Sequence, residues 1–97
     1  MVDPLAEFPF DFELLRSLTE TSGVPGYEDR VRAIVRDELA TSVDEVHTDD
    51  VGNVVGTLHG SGDHEVVVAA HMDEIGFMVR HVRDDGFVEL DALGGWD

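Results

Sequence analysis

Residues 65–76 read EVVVAAHMDEIG: five aliphatic residues in a row, then a histidine, a methionine and two acids. A short apolar run that does not alternate with polar residues fits a strand covered on both faces, and such strands belong to layered α/β sheets. Ligands in open α/β sheets gather just outside the carboxyl ends of the strands, where side chains reach solvent above a rigid backbone. His71 falls one residue after EVVVAA, at that position. If the extended geometry continues, His71 and Asp73 point to the same side, because side chains alternate with a period of two.

Upstream the period is helical. In DFELLRSLTE, Leu14, Leu15 and Leu18 recur at helical spacing behind Asp11, an N-cap residue type, which predicts a short amphipathic helix. The glycines and proline of SGVPGYED end it and turn the chain. Tyr27, Val31, Ile34, Val35 and Leu39 then recur at steps of three and four, so YEDRVRAIVRDELA is expected as a second helix with Glu28 and Asp29 in its first turn, where the helix dipole favours acids. From Val43 onward the pattern changes to short Val-rich runs separated by Gly, Asn and Asp. DEVHTDD, GNVVGTLHG, EVVVAAH, GFMVRHV and GFVELDAL are five expected strands, the last two joined as a hairpin around Asp84, Asp85 and Gly86. Two helices followed by about five strands make an α/β fold. The chain closes on LGGWD, which reads either as a glycine-rich terminus or as a chain cut short, since 97 residues offer little with which to cover both faces of such a sheet.

With 42% hydrophobic and 29% charged residues, the composition is that of a single globular unit. The net charge of -16 arises from 22 acids against six arginines, with no lysine. Phosphate neutralisation needs clustered cations, so nucleic acid is excluded as a partner. The acids are spread along the chain, which suits either an ordinary acidic protein or, preferred here because lysine is absent, one adapted to molar salt where carboxylate repulsion is screened. No cysteine is present, so disulfides and thiolate metal sites are excluded. MVDPLAEFPF is acidic and proline-broken where a secretory leader is basic and then apolar, and no apolar run approaches the ~18 residues of a membrane span, so a cytoplasmic location is expected.

A metal-binding imidazole uses one nitrogen for the ion and needs its other N–H held by a carboxylate or carbonyl. Asp73 can hold His71 in this way. Equally, the residues alone allow His71 to be a hydrogen-bonded histidine at a strand end, with Asp73 and Glu74 as turn acids. His47, His59, His64 and His81 have no second ligand at metal spacing and read as surface or edge histidines. Asp49 and Asp50 precede Gly52 and Asn53 and read as turn chemistry. Ser17, Ser22, Ser42 and Ser61 lack a nucleophile-elbow context, and SGVPG has neither the spacing nor the Lys of a phosphate loop.

Taken in order, LLRSLTETSGVPGYEDRVRAIVRDEL, DDVGNVVG, VVVAAHMDEIGFMV and GFVELDALGGWD resemble the amino-terminal part of the M42 family of metallo-aminopeptidases, over nearly the whole chain from Phe12 onward. The resemblance implies the amino-terminal portion of a zinc-peptidase-type α/β/α catalytic domain, with residues 1–97 an incomplete part of it and both the inserted β-rich domain and the remainder of the catalytic domain absent. It implies a peptidase that uses two divalent ions, zinc or cobalt, to remove N-terminal residues from peptides, with His71 as a metal ligand and Asp73 as the catalytic carboxylate supporting it. It further implies a dodecameric complete protein. The family's bridging aspartate, glutamate pair, further acidic ligand and last histidine lie beyond its GG-x-D region, so this chain is expected to be inactive by itself. Other readings are a different two-metal amidohydrolase or peptidase with an H-x-D strand end, and a non-catalytic remnant that binds a partner through a sheet edge. An endoglucanase label carried by some members is disfavoured, because no flanking carboxylate pair is visible.

Overall fold

The first helix, α1, spans Phe12–Glu20 and starts where Asp11 accepts the Leu14 amide at 2.9 Å, the side-chain cap that the sequence calls for. The computed structural model describes residues 9–97; most of the acidic, proline-broken start of the chain lies outside the described residues. Helix α2 spans Asp29–Ala40. Tyr27, expected on its apolar face, instead precedes the helix in a turn closed by its own amide on the Val24 carbonyl, and its ring is exposed. Gly26, with φ +87°, carries that turn, and its amide donates to Glu28 at 2.8 Å, so the helix begins only at Asp29, two residues after Tyr27.

Strands β1 (Glu45–Thr48) and β2 (Val54–Thr57) form an antiparallel hairpin with Glu45 opposite Thr57 and Thr48 opposite Val54. The hairpin lies against α2. Gly56 is the point of contact, since a Cβ there would stand 3.2 Å from Val43 and 3.6 Å from Leu39. Strands β3 (Gly76–Val82) and β4 (Val88–Leu93) form a second antiparallel pair, with a register irregularity between Val79 and His81. Their turn is the expected one around Asp84–Gly86, closed by Arg83 N–H on the Phe87 carbonyl and by Gly86 N–H on the Arg83 carbonyl.

The fifth expected strand does not form. Among the described residues, 65–70 enter neither two-stranded sheet and make none of the backbone hydrogen bonds, and Val66, Val67 and Val68 are 85, 78 and 93% exposed. The reason is physical: a strand apolar on both faces is stable only between neighbours that pair its edges and layers that cover its faces, and the described residues supply neither. Burial is concentrated in one place, where Val31 of α2, 3% exposed, meets the buried Gly23. The radius of gyration is 18.4 Å where about 13 Å is usual for a packed chain of this length. Its accessible surface is 8557 Å², against roughly 5,500 Å² for a compact fold of this size.

Candidate functional site

Nδ1 of His71 lies 3.0 Å from Asp73 Oδ1 and 2.9 Å from the Asp73 carbonyl oxygen. Both partners are acceptors, so Nδ1 carries a hydrogen, which leaves Nε2 as the ring nitrogen on which a lone pair can be offered to a ligand. The imidazole is largely exposed while the Asp73 carboxylate is more sheltered, so the ring stands out from the turn on a fixed base. A carboxylate on one ring nitrogen with the other open is the arrangement by which a histidine is oriented toward a metal.

The turn carrying this pair is held from its carboxy-terminal side, at residues 74–77. On one side the Glu74 amide donates to the Gly23 carbonyl at 2.8 Å, and Gly76 packs so closely on Val24 that a side chain there would collide with it. On the other, Trp96 stacks on Phe77 with ring centroids 4.4 Å apart, and its indole N–H is shared between the carbonyls of Gly76 and Leu93, each at 3.1 Å. Residues 94–96 thus fold back over the beginning of β3. Glu74 contributes its backbone to this arrangement.

A shallow cleft of about 140 Å³ opens beside His71, Met72 and Asp73. Its opposite wall comes from the start of α2 and from the 49–53 turn of the first hairpin, through Glu28, Arg32, Gly52 and Asn53. Arg32 joins the two: Nε donates to the Gly52 carbonyl at 2.7 Å, Nη1 to Asp29 at 2.5 Å, and Nη2 lies 3.6 Å from Glu28. Gly52 has φ +92°, and a Cβ on it would come within 2.6 Å of the guanidinium. The turn itself is organised by Asp49, whose carboxylate accepts from the Val51 amide, the Asn53 amide and the Asn53 side chain at 2.8–3.0 Å. The Asn53 side-chain and backbone hydrogen bonds hold the Asp49 carboxyl below its usual pKa of 3.8.

His71 and Asp73 are therefore brought together, and the remaining histidines do not line the cleft. His47 sits in β1 opposite Val55, and His81 in β3 opposite Glu89. His59 pairs with Glu45 at 3.0 Å, and that hydrogen bond, then the Glu45 charge, raise its pKa above 6.5. Among the described residues no group of three or more His, Asp or Glu side chains could hold a metal ion. His71 fits as one ligand and Asp73 as its support; the rest of a metal's coordination is not supplied by these residues. Arg32 and Trp96 escaped sequence reasoning, since the partners that give them a role at the site lie up to 20 residues away. The turn residues flanking Gly52 were the one available signal.

Residues 52–97 match the family described as M42 glutamyl aminopeptidase. The chain is 44% identical over 86 residues to the lysyl aminopeptidase of Pyrococcus furiosus, covering 88% of this chain and 25% of that protein. It is 32% identical over 88 residues to the glutamyl aminopeptidase of Lactococcus lactis, with 89% and 25% covered. Among solved structures, an aminopeptidase from Desulfurococcus kamchatkensis superposes with a TM-score of 0.80 at 40% identity, covering 86% of this chain and 23% of that one. A TET aminopeptidase from a marine sediment thaumarchaeon superposes with a TM-score of 0.78 at 34% identity, covering 87% and 24%. The chain spans about a quarter of the length of the curated relatives it matches.

Proposed function

Because this chain belongs to the M42 peptidase family, as the counterpart of its amino-terminal part, we propose that it contributes a metal ligand, His71, and the catalytic carboxylate that orients it, Asp73, to a metal-dependent aminopeptidase acting on peptides. The observation that carries the reading is the His71–Asp73 pair, with Nδ1 bound to the carboxylate and Nε2 free. A pair of bound divalent ions, zinc or cobalt, would supply polarisation of the scissile carbonyl and a water acidic enough to attack at neutral pH. The roles of the chain's own residues are narrower. His71 would bind one ion through Nε2, Asp73 would hold the ring's tautomer and raise its basicity, and the Arg32–Gly52 wall would bound the cleft beside them.

A catalytic zinc takes three protein ligands, so one histidine cannot retain the ions or turn over substrate by itself. On this reading residues 1–97 are part of an α/β/α catalytic domain whose other ligands, inserted β-rich domain and remaining strands lie outside these residues, and the complete protein is a dodecamer of the cytoplasm. Among the described residues no helix is long and apolar enough to cross a membrane. The charge of -16 without lysine supports a salt-rich medium.

The test is a chimera in which these 97 residues replace the matching quarter of the Pyrococcus lysyl aminopeptidase. Zinc content and hydrolysis of N-terminal residues are expected in the chimera and lost in its His71→Ala form. Metal content and activity left intact by His71→Ala would remove the residue from the site. The isolated 97-residue chain is expected to show no turnover.

A further inference from the structure

The two walls of the cleft beside His71 use the same device. On one, the Asp73 carboxylate engages His71 Nδ1 and leaves Nε2 open. On the other, Asn53 is oriented by Asp49, to whose Oδ2 its Nδ2 donates at 2.8 Å. A carboxylate only accepts, so the amide cannot lie the other way round, and Oδ1 becomes the open end of the side chain. Asn53 is exposed, and its Oδ1 accepts no hydrogen bond among the described residues. The backbone beneath is fixed without help from this side chain. Asp49 Oδ1 accepts the Val51 and Asn53 amides at 3.0 and 2.8 Å, the Asp49 amide donates to the Asn53 carbonyl at 3.0 Å, and Arg32 holds the Gly52 carbonyl at 2.7 Å. Those contacts suffice for the turn. What the bond from Nδ2 adds is a carbonyl oxygen of set direction on the cleft wall.

We propose that Asn53 is a substrate-binding residue, whose Oδ1 accepts a hydrogen bond from an N–H of the peptide, either its N-terminal amine or the nitrogen of the scissile bond. The inference deepens the aminopeptidase reading above and rests on it. The cleft holds only about 140 Å³, so a group seated at His71 also meets the wall opposite. Both candidate donors lie next to the carbonyl under attack, the scissile nitrogen bonded to it and the amine one carbon further. The polar character of the cleft suits a donor. Glu28 and Asp73 bring carboxylates to its lining, and Arg32, which also lines it, has its guanidinium committed to Gly52, Asp29 and Glu28. An acceptor already held in place by Asp49 loses little rotamer freedom when the substrate binds.

The experiment uses the chimera with the Pyrococcus lysyl aminopeptidase. Asn53→Ala keeps both backbone bonds to Asp49 Oδ1 and removes only the carboxamide, so zinc content and thermal unfolding should match the parent. Its kcat/KM for lysine p-nitroanilide should fall about tenfold or more, the loss expected for a hydrogen bond to substrate. Two comparisons locate the donor. Lysine methyl ester keeps the amine but has no scissile N–H, and 6-aminohexanohydroxamate differs from the inhibitor lysine hydroxamate only in lacking the α-amine. A fall for the anilide that spares the ester assigns the bond to the scissile N–H. A loss of inhibition by lysine hydroxamate that spares its analogue assigns it to the amine, and either result upholds the proposal. It is overturned if the anilide loses less than about threefold, if zinc is lost, or if anilide and ester fall alike while the two hydroxamates are affected alike. A parent chimera without zinc or turnover counts against the proposed function instead. Asn53 is then judged on the free 97-residue chain by NMR, where its carboxamide protons should shift as Asp49 is protonated and again on adding millimolar lysinamide, which carries both kinds of N–H. Carboxamide protons that ignore lysinamide would overturn the proposal there.

Discussion

Gly23→Ala would place a methyl group 2.8 Å from Cγ1 of Val31 and 3.4 Å from its Cβ. Nothing in the backbone of Gly23 forbids a side chain, since its φ is not positive, so the cost is one of space. Overpacking of this kind costs about 1–3 kcal/mol. Val31→Ala removes two methyl groups from a side chain that is 3% exposed, worth about 1.6 kcal/mol of transfer energy before any cavity term. In the double variant the new methyl occupies space vacated by the valine. The two changes should therefore fall short of additivity by about 1 kcal/mol or more, within the range found for residues in contact. Urea unfolding followed by far-ultraviolet circular dichroism measures the cycle. The site supplies a second readout, because the Gly23 carbonyl accepts the Glu74 amide at 2.8 Å. Hydrogen exchange at Glu74 should quicken in Gly23→Ala and slow again in the double variant. Additivity within about 0.4 kcal/mol, or a neutral Gly23→Ala, would refute the claim that this contact anchors the turn of His71 and Asp73.

Gly52→Ala should destabilise the first hairpin by about 1–3 kcal/mol in thermal unfolding, and adding Arg32→Ala should recover only part of the loss, since it relieves the clash with the guanidinium but not the φ of +92°. His59 should titrate above 6.5 by NMR and return toward that value in Glu45→Gln. Because its folded pKa is raised, the support it lends to β1 and β2 is complete below pH 6.5 and lost as pH rises through the folded value. Asp49 has the opposite sign: its folded pKa is lowered, so its support for the 49–53 turn is present above pH 3.8 and lost as pH falls through the folded value, and Asn53→Ala should raise that pKa. Lowering NaCl from molar to millimolar should diminish the helical circular dichroism of the free chain, whose 22 acids face only six arginines; a signal flat across that range would contradict adaptation to salt.

Elements whose determinants are local were legible beforehand. The leucine spacing and Asp11 place α1, and Asp84–Gly86 places the turn between β3 and β4, because a cap or a left-handed glycine acts on neighbours within a few residues. The His71–Asp73 contact is local too, an i to i+2 pair. Tyr27 shows the limit, as its spacing fits the helix but a turn closed on Val24 intervenes.

By itself, then, the sequence determined the helices, the hairpin around Asp84–Gly86, the hydrophobic character of residues 65–70 and the closeness of Asp73 to His71, all of which follow from spacing and short-range hydrogen bonds. Only the tertiary structure decided that Arg32 ties α2 to Gly52, that Trp96 folds back onto Gly76, and that residues 65–70 pair with none of the other described residues. Apolar character states what a strand must bury, whereas pairing depends on chain segments that are distant or supplied from elsewhere.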